Sequence, residues 1–264
     1  MKFRDILTVV SSAAEDAHVI SFAEQLRRQW AVRITTLVTK WKPDFVLTNA
    51  AADLRAEVER TTTRLRREPE VGPVVSELIT INEARASIGM RARHFDAVVV
   101  GRPPGPTSDW PHALLEGALF QSGRPVFVVP AGWQTAPVGS RIMVSWKPTR
   151  EAARTLTAAH DLLQRADRVM VATAGAQHPL AGKTSKEGAD VVAHLVRKKL
   201  DVSLLSVNVS SRSEAEAILE QAMRVRADLV VMGGYGRSAA TQFFFGGVTR
   251  EMLASSNIPI LMAH

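Results

Sequence analysis

The residues best suited to chemistry lie late in the chain, in Met232-Gly233-Gly234-Tyr235-Gly236-Arg237-Ser238, followed after Phe243-Phe244-Phe245 by Gly246-Gly247-Val248-Thr249. The segment leaves a short apolar run, Leu229 to Met232, and enters helical spacing at about Gly247. In an open α/β sheet, ligands bind outside the carboxyl ends of the strands. Glycines, lacking Cβ, let backbone N–H groups approach a phosphate, and a helix N-terminus adds partial positive charge. Arg237 would add a charged fork to such an anion, and the hydroxyls of Ser238 and Thr249 neutral donors. The competing reading is an ordinary glycine-bearing turn from strand to helix.

Other chemistries find little support. With no cysteine in 264 residues, disulfides, thiolate metal sites and cysteine nucleophiles are excluded. The histidines at 18, 94, 112, 160, 178, 194 and 264 lack metal-ligand spacing, so no metal site is expected. Gly182-Lys183-Thr184 resembles the end of a phosphate loop, but Gln177 stands where the earlier glycine belongs. There is no G-x-S-x-G elbow, and Asp109 with Glu116 is too weak a pair to assign acid–base work, so no catalytic residue is assigned.

A composition of 46% hydrophobic and 22% charged residues rules out a disordered chain. The net charge of +7 suits acidic partners. The basic groups Arg64, Arg66 and Arg67, then Arg197, Lys198 and Lys199, then Arg224 and Arg226, fall where helices should end, where cations complement the helix dipole. They lack interleaved aromatics, so no specific nucleic-acid binding is expected. The five-residue apolar run Ile6 to Val10 is too short for a signal core or a membrane span, so a cytoplasmic protein without membrane contact is expected.

The elements that must position the glycine segment alternate. Strands are expected at 6–10, 32–38, 74–79, 97–100 and 126–129, with helices near 14–29, 48–67, 82–94 and 111–121. A second set follows, with strands at 142–145, 169–173, 202–207, 229–232 and 258–262 and helices near 149–165, 186–199, 212–226 and 247–255. Alternation of this kind predicts parallel sheets with crossover helices. Landmarks repeat as well: Asp96-Ala97-Val98-Val99-Val100-Gly101 matches Asp228-Leu229-Val230-Val231-Met232-Gly233, and Pro125 matches Pro259. A proline opening strand five makes that strand an edge in each half. Bare edges invite pairing, between the halves or in a homodimer. The aperiodic stretch 131–140 reads as a linker, dividing a domain at 1–131 from one at 141–264.

The spacing Gly233, two residues, Gly236, nine residues, Gly246 and a small residue resembles the nucleotide-binding loop of the ATP-binding universal stress proteins. Glu116 to Val126 is similar to the fourth-helix and fifth-strand segment of tandem members. The resemblance implies two flavodoxin-like α/β domains, each a five-stranded parallel sheet with helices on both faces. It also implies a stress-response role as a sensor or regulator, with ATP, and Mg2+ alongside it, held by the second domain. The residues so implied are Gly233, Gly236, Arg237, Gly246, Gly247, Val248, Thr249 and, at the crevice mouth, Lys147. Two features depart from the family pattern. Gly247 stands where a hydroxyl residue usually follows the last glycine, and the acidic residue after strand one is replaced by Lys147 in one copy and Ser11 in the other. In the first copy, Pro103, Pro104 and Pro106 remove the N–H donors a phosphate cradle needs, so that copy reads as degenerate. A scaffold that holds no nucleotide and a slow ATP hydrolase are the alternatives, although no base or Walker-type lysine is apparent.

Overall fold

Short runs of Val, Ile and Leu, alternating with amphipathic stretches, fold into two α/β units, Lys2–Ala136 and Pro137–His264. The computed structural model describes residues 3–12, 14–42, 48–68, 71–105, 109–174, 182–209, 211–234 and 247–264.

The first unit runs β1 (Asp5–Val10), α1 (Ala17–Trp30), β2 (Arg33–Trp41), α2 (Thr48–Arg66), β3 (Val74–Ile79), α3 (Ile81–Ala92), β4 (Ala97–Gly101), α4 (Asp109–Glu116) and β5 (Val126–Val129). Its strands are parallel in the order β3-β2-β1-β4-β5. Where one helix is expected over 111–121, α4 instead passes into a π-helical turn, Gly117–Gln121. The close approach of α3 explains why glycine stands there, since a Cβ on Gly117 would lie 2.7 Å from the Arg85 carbonyl oxygen. The core is mostly aliphatic, with one aromatic cluster. Phe127 packs against Phe3, Phe22 and Trp30 with ring centroids 5.9, 5.6 and 6.3 Å away.

The second unit repeats the plan with β6 (Arg141–Ser145), α5 (Arg150–Ala158), α6 (His160–Arg165), β7 (Arg168–Ala174), α7 (Gly182–Arg197), β8 (Val202–Val207), α8 (Glu214–Arg224), β9 (Leu229–Gly233), α9 (Gly247–Ser255) and β10 (Ile260–Ala263). Its parallel order, β8-β7-β6-β9-β10, is that of the first unit. The single helix expected over 149–165 breaks at Ala159 into α5 and α6. The core here is aliphatic and thioether: Met143, Met170, Met252 and Met262 are all buried.

Two acidic landmarks of the repeat have structural work. Asp96 accepts the N–H groups of Arg4 and Asp5. Asp228 accepts those of Gly139, Ser140 and Arg141. Each carboxylate ties the start of the unit's first strand to the start of its fourth. Burial raises the Asp228 pKa above the usual carboxylate value, and the three N–H groups oppose that shift. The helices also carry capping boxes at matching places, Thr80 with Glu83 on α3 and Ser213 with Glu216 on α8, each satisfying otherwise orphaned N–H groups.

The stretch read as a linker is packed at both ends. Trp133 stacks edge-on against Phe22 at 5.2 Å in the first unit, while Val138 is buried in the second.

Candidate functional site

In the second unit the chain leaves β6 toward β7 and β8 on one side, then returns to β9 and β10 on the other. The carboxyl ends of β6 and β9 therefore form the switch point at which open sheets bind ligands. Pairing sets Ser145 opposite Met232, so Lys147 and Gly233 follow at the same end.

Gly233 is required there by close approach. A Cβ on it would meet the Ala152 backbone nitrogen at 2.5 Å and its Cα at 2.8 Å. The helix that crowds it, α5, is capped by Thr149, whose hydroxyl accepts the Ala152 N–H at 3.2 Å. Beyond β9, the Gly234 N–H donates to the Ala263 carbonyl oxygen at 3.1 Å.

The far side of the site is the start of α9. Gly247 is exposed, and a Cβ built on it would meet nothing within 4 Å. Val248 is half-buried, and Thr249 is buried at 6% exposure. Thr249 thus packs inward, and the groups α9 offers an anion are the backbone N–H groups of its first turn. Gly236, Arg237 and Gly246 lie outside the described residues, as do Ser238 and the three phenylalanines. Lys147 is 69% exposed, and its ammonium lies 3.8 Å from the Glu214 carboxylate at the start of α8.

Sequence reasoning passed over two groups on this side of the sheet. Glu151 in the first turn of α5 is buried, with a carboxylate oxygen 3.6 Å from Arg150. His264 has its pKa lowered by burial, with Glu151 acting in the opposite sense and Arg154 and Arg150 reinforcing the shift. No local pattern marks either residue, because their proximity depends on β10 lying beside β9. Among the described residues no group of three His, Asp or Glu side chains is placed to hold a metal ion.

The matching end of the first unit is filled by its own side chains. Asp16 accepts the N–H groups of Ser11 and Ser12 at 2.6 and 3.0 Å, and the Trp110 indole donates to the Ser11 hydroxyl at 2.9 Å. His18 packs against Gly101, and burial lowers its pKa. The basic groups at 64, 66, 197 and 224 do sit in last helical turns. No helix among the described residues is long and apolar enough to cross a membrane.

Comparison with known proteins agrees with this geometry. Residues 141–264 match the model of the universal stress protein family. A curated relative, the stress response protein NhaX of Bacillus subtilis, is 32% identical over 56 residues, which are 21% of this chain. The match spans about a third (34%) of that relative's length. Among solved structures, a universal stress protein from Archaeoglobus fulgidus superposes with a TM-score of 0.75 at 13% identity, covering 98% of this chain and 95% of that one. A putative universal stress protein from Pseudomonas aeruginosa gives a TM-score of 0.61 at 16% identity, covering 98% and 92%. At such identities the superpositions establish the fold, two flavodoxin-like α/β units with parallel sheets and helices on both faces. The family match, the strand order and the glycine at the end of β9 lead to one conclusion: residues 141–264 form a domain of the universal stress protein family.

Proposed function

We propose that the protein is a tandem universal stress protein whose second domain binds an adenine nucleotide, ATP with Mg2+, in a sensing or regulatory role, and whose first domain is a degenerate copy. The observation that carries this reading is the pairing, at one switch point, of a glycine whose Cβ position is taken by the Ala152 backbone with an open, glycine-started helix N-terminus. Backbone N–H groups at Gly247 and Val248 hold a phosphate, and Gly236, Arg237 and Gly246 complete the loop. Mg2+ would be held by the phosphates, where it would neutralise their charge. Lys147 reaches the same anion by exchanging its partner Glu214 for phosphate.

A second reading is favoured by that same ion pair. With Lys147 engaged by Glu214 and no acidic residue after β6, the domain acts as a scaffold that holds no nucleotide. In either reading, partners meet along the edge strands, either between the halves or between two copies of the chain. A slow ATP hydrolase is a variant of the first reading.

Freshly purified protein, denatured and assayed by chromatography and mass for released nucleotide, discriminates these readings. Stoichiometric ATP or ADP, lost in Gly236→Val, supports the nucleotide sensor. An empty protein that gives no heat on titration with ATP and Mg2+ overturns it in favour of the scaffold. Phosphate release that depends on metal and vanishes in the same variant identifies the hydrolase.

A further inference from the structure

A cleft of about 360 Å³ opens in the second unit between the α5–α6 pair and α7, a size within the range of small-molecule sites. Its floor is apolar, built from the buried side chains of Leu156, Val191 and Leu195. Trp146 forms part of the wall, and its indole N–H is buried without a hydrogen-bond partner. An unsatisfied donor beside an apolar floor is uncommon in a finished core.

The polar groups are ordered along the cleft. Asp190 and His194 on one face of α7 and Lys198 just past its end recur every four residues, so the acid and the ammonium stand about two turns, roughly 12 Å, apart. Among the described residues neither Asp190 nor Lys198 has an ion-pair partner. His160 joins the Lys198 end. Burial, and then the charge of Lys198, hold its imidazole below the ordinary range, while Asp161 acts in the opposite sense and His194 adds a smaller lowering. That end therefore presents one fixed positive charge beside imidazole donors, and the other end one negative charge. This distribution suits a ligand with a single negative group and a flat apolar body. A dianion would gain little at one ammonium and would meet Asp190.

We propose that this cleft binds a small aromatic carboxylate, with its ring on Leu156, Leu195 and the Trp146 indole and its carboxylate at Lys198 and His194. The cleft's lining includes neither Gly233 nor the start of α9, and the proposal does not rest on nucleotide binding there.

Naphthoate, with the neutral naphthylmethanol as its matched control, tests the assignment by calorimetry and by the indole N–H resonance of Trp146 in the full chain. Naphthoate is expected to bind and to shift that resonance, with Lys198→Ala weakening it about five-fold while leaving the alcohol unchanged, as loss of one partly exposed charge contact predicts. Ala153→Trp, which fills the cleft from its exposed rim, should abolish both. The proposal is overturned if naphthoate leaves the Trp146 resonance unmoved to millimolar concentration. It is equally overturned if Lys198→Ala binds acid and alcohol as the wild type does. Should Ala153→Trp fail to fold by circular dichroism, the acid-against-alcohol contrast in Lys198→Ala decides alone.

Discussion

The two units share strand order, capping boxes and strand-tying aspartates, yet their interiors differ in part. Both are largely aliphatic, but the first adds the cluster of Phe3, Phe22, Trp30 and Phe127, and the second adds buried methionines. Topology thus follows the alternation of apolar runs and turns, while the identity of the filling is free as long as volume is conserved. The contrast extends to the switch points. The first is occupied by Asp16 and Trp110, whereas the second is bounded by the backbone of α5 and the start of α9.

The largest expected effect breaks the aromatic filling. Phe127→Ala should cost about 3–5 kcal/mol, whereas Met143→Leu, equally buried but conserving volume, should cost less than about 1.5 kcal/mol. Urea unfolding of both variants checks this.

Next comes the pair of strand-end glycines. Gly233→Ala must push against the Ala152 backbone and should lose about 2–3 kcal/mol. At Gly101 the nearest atom to a new Cβ is Val19 Cγ2 at 3.2 Å, a side-chain tip able to yield, so Gly101→Ala should stay within about 1 kcal/mol of wild type. Thermal melts of the two variants measure the difference directly.

Acidification sharpens the comparison further. Burial lowers the pKa of His18 in the first unit and of His160 and His264 in the second below the ordinary value of 6.5. Each then takes up its proton more readily in the unfolded chain. The stability it contributes is complete above pH 6.5 and is lost as the pH falls through the lowered value. His18→Gln should flatten this dependence in part, and His160→Gln with His264→Gln should flatten it more. Melting temperatures read between neutral and mildly acidic pH provide the check.

The smallest expected effect is a gain. Lys199 follows α7 with φ at 64°, a left-handed conformation that costs a residue bearing a Cβ about 1 kcal/mol. Lys199→Gly should therefore raise stability by about 0.5–1 kcal/mol, less what the unfolded chain gains in freedom, as urea midpoints will show.

The strands were legible because local alternation decides them: ten apolar runs correspond to the ten strands among the described residues, and the Asp96 and Asp228 landmarks fall in equivalent places. The capping boxes were written plainly as Thr80…Glu83 and Ser213…Glu216, although hydrophobic periodicity alone passes over them. What escaped the sequence depends on contacts between distant segments. The π-helical turn at Gly117 arises where α3 crowds the helix, and Trp110 meets Ser11 across 99 positions of chain. Of the glycine segment, Gly233, Gly247, Val248 and Thr249 can be placed. Thr249 turns out to be an interior residue, which apolar spacing around one threonine could not reveal.

The carboxylate of Asp228 also governs how the molecule can be dissected. Two of its three N–H donors, Gly139 and Ser140, precede the first residue matched by the family, and the buried Val138 lies one position further back. A fragment cut at residue 141 would leave a half-buried acid with a single backbone partner and expose an apolar surface. An excision beginning at Pro137 keeps both, so the autonomous folding piece is a few residues longer than family likeness suggests.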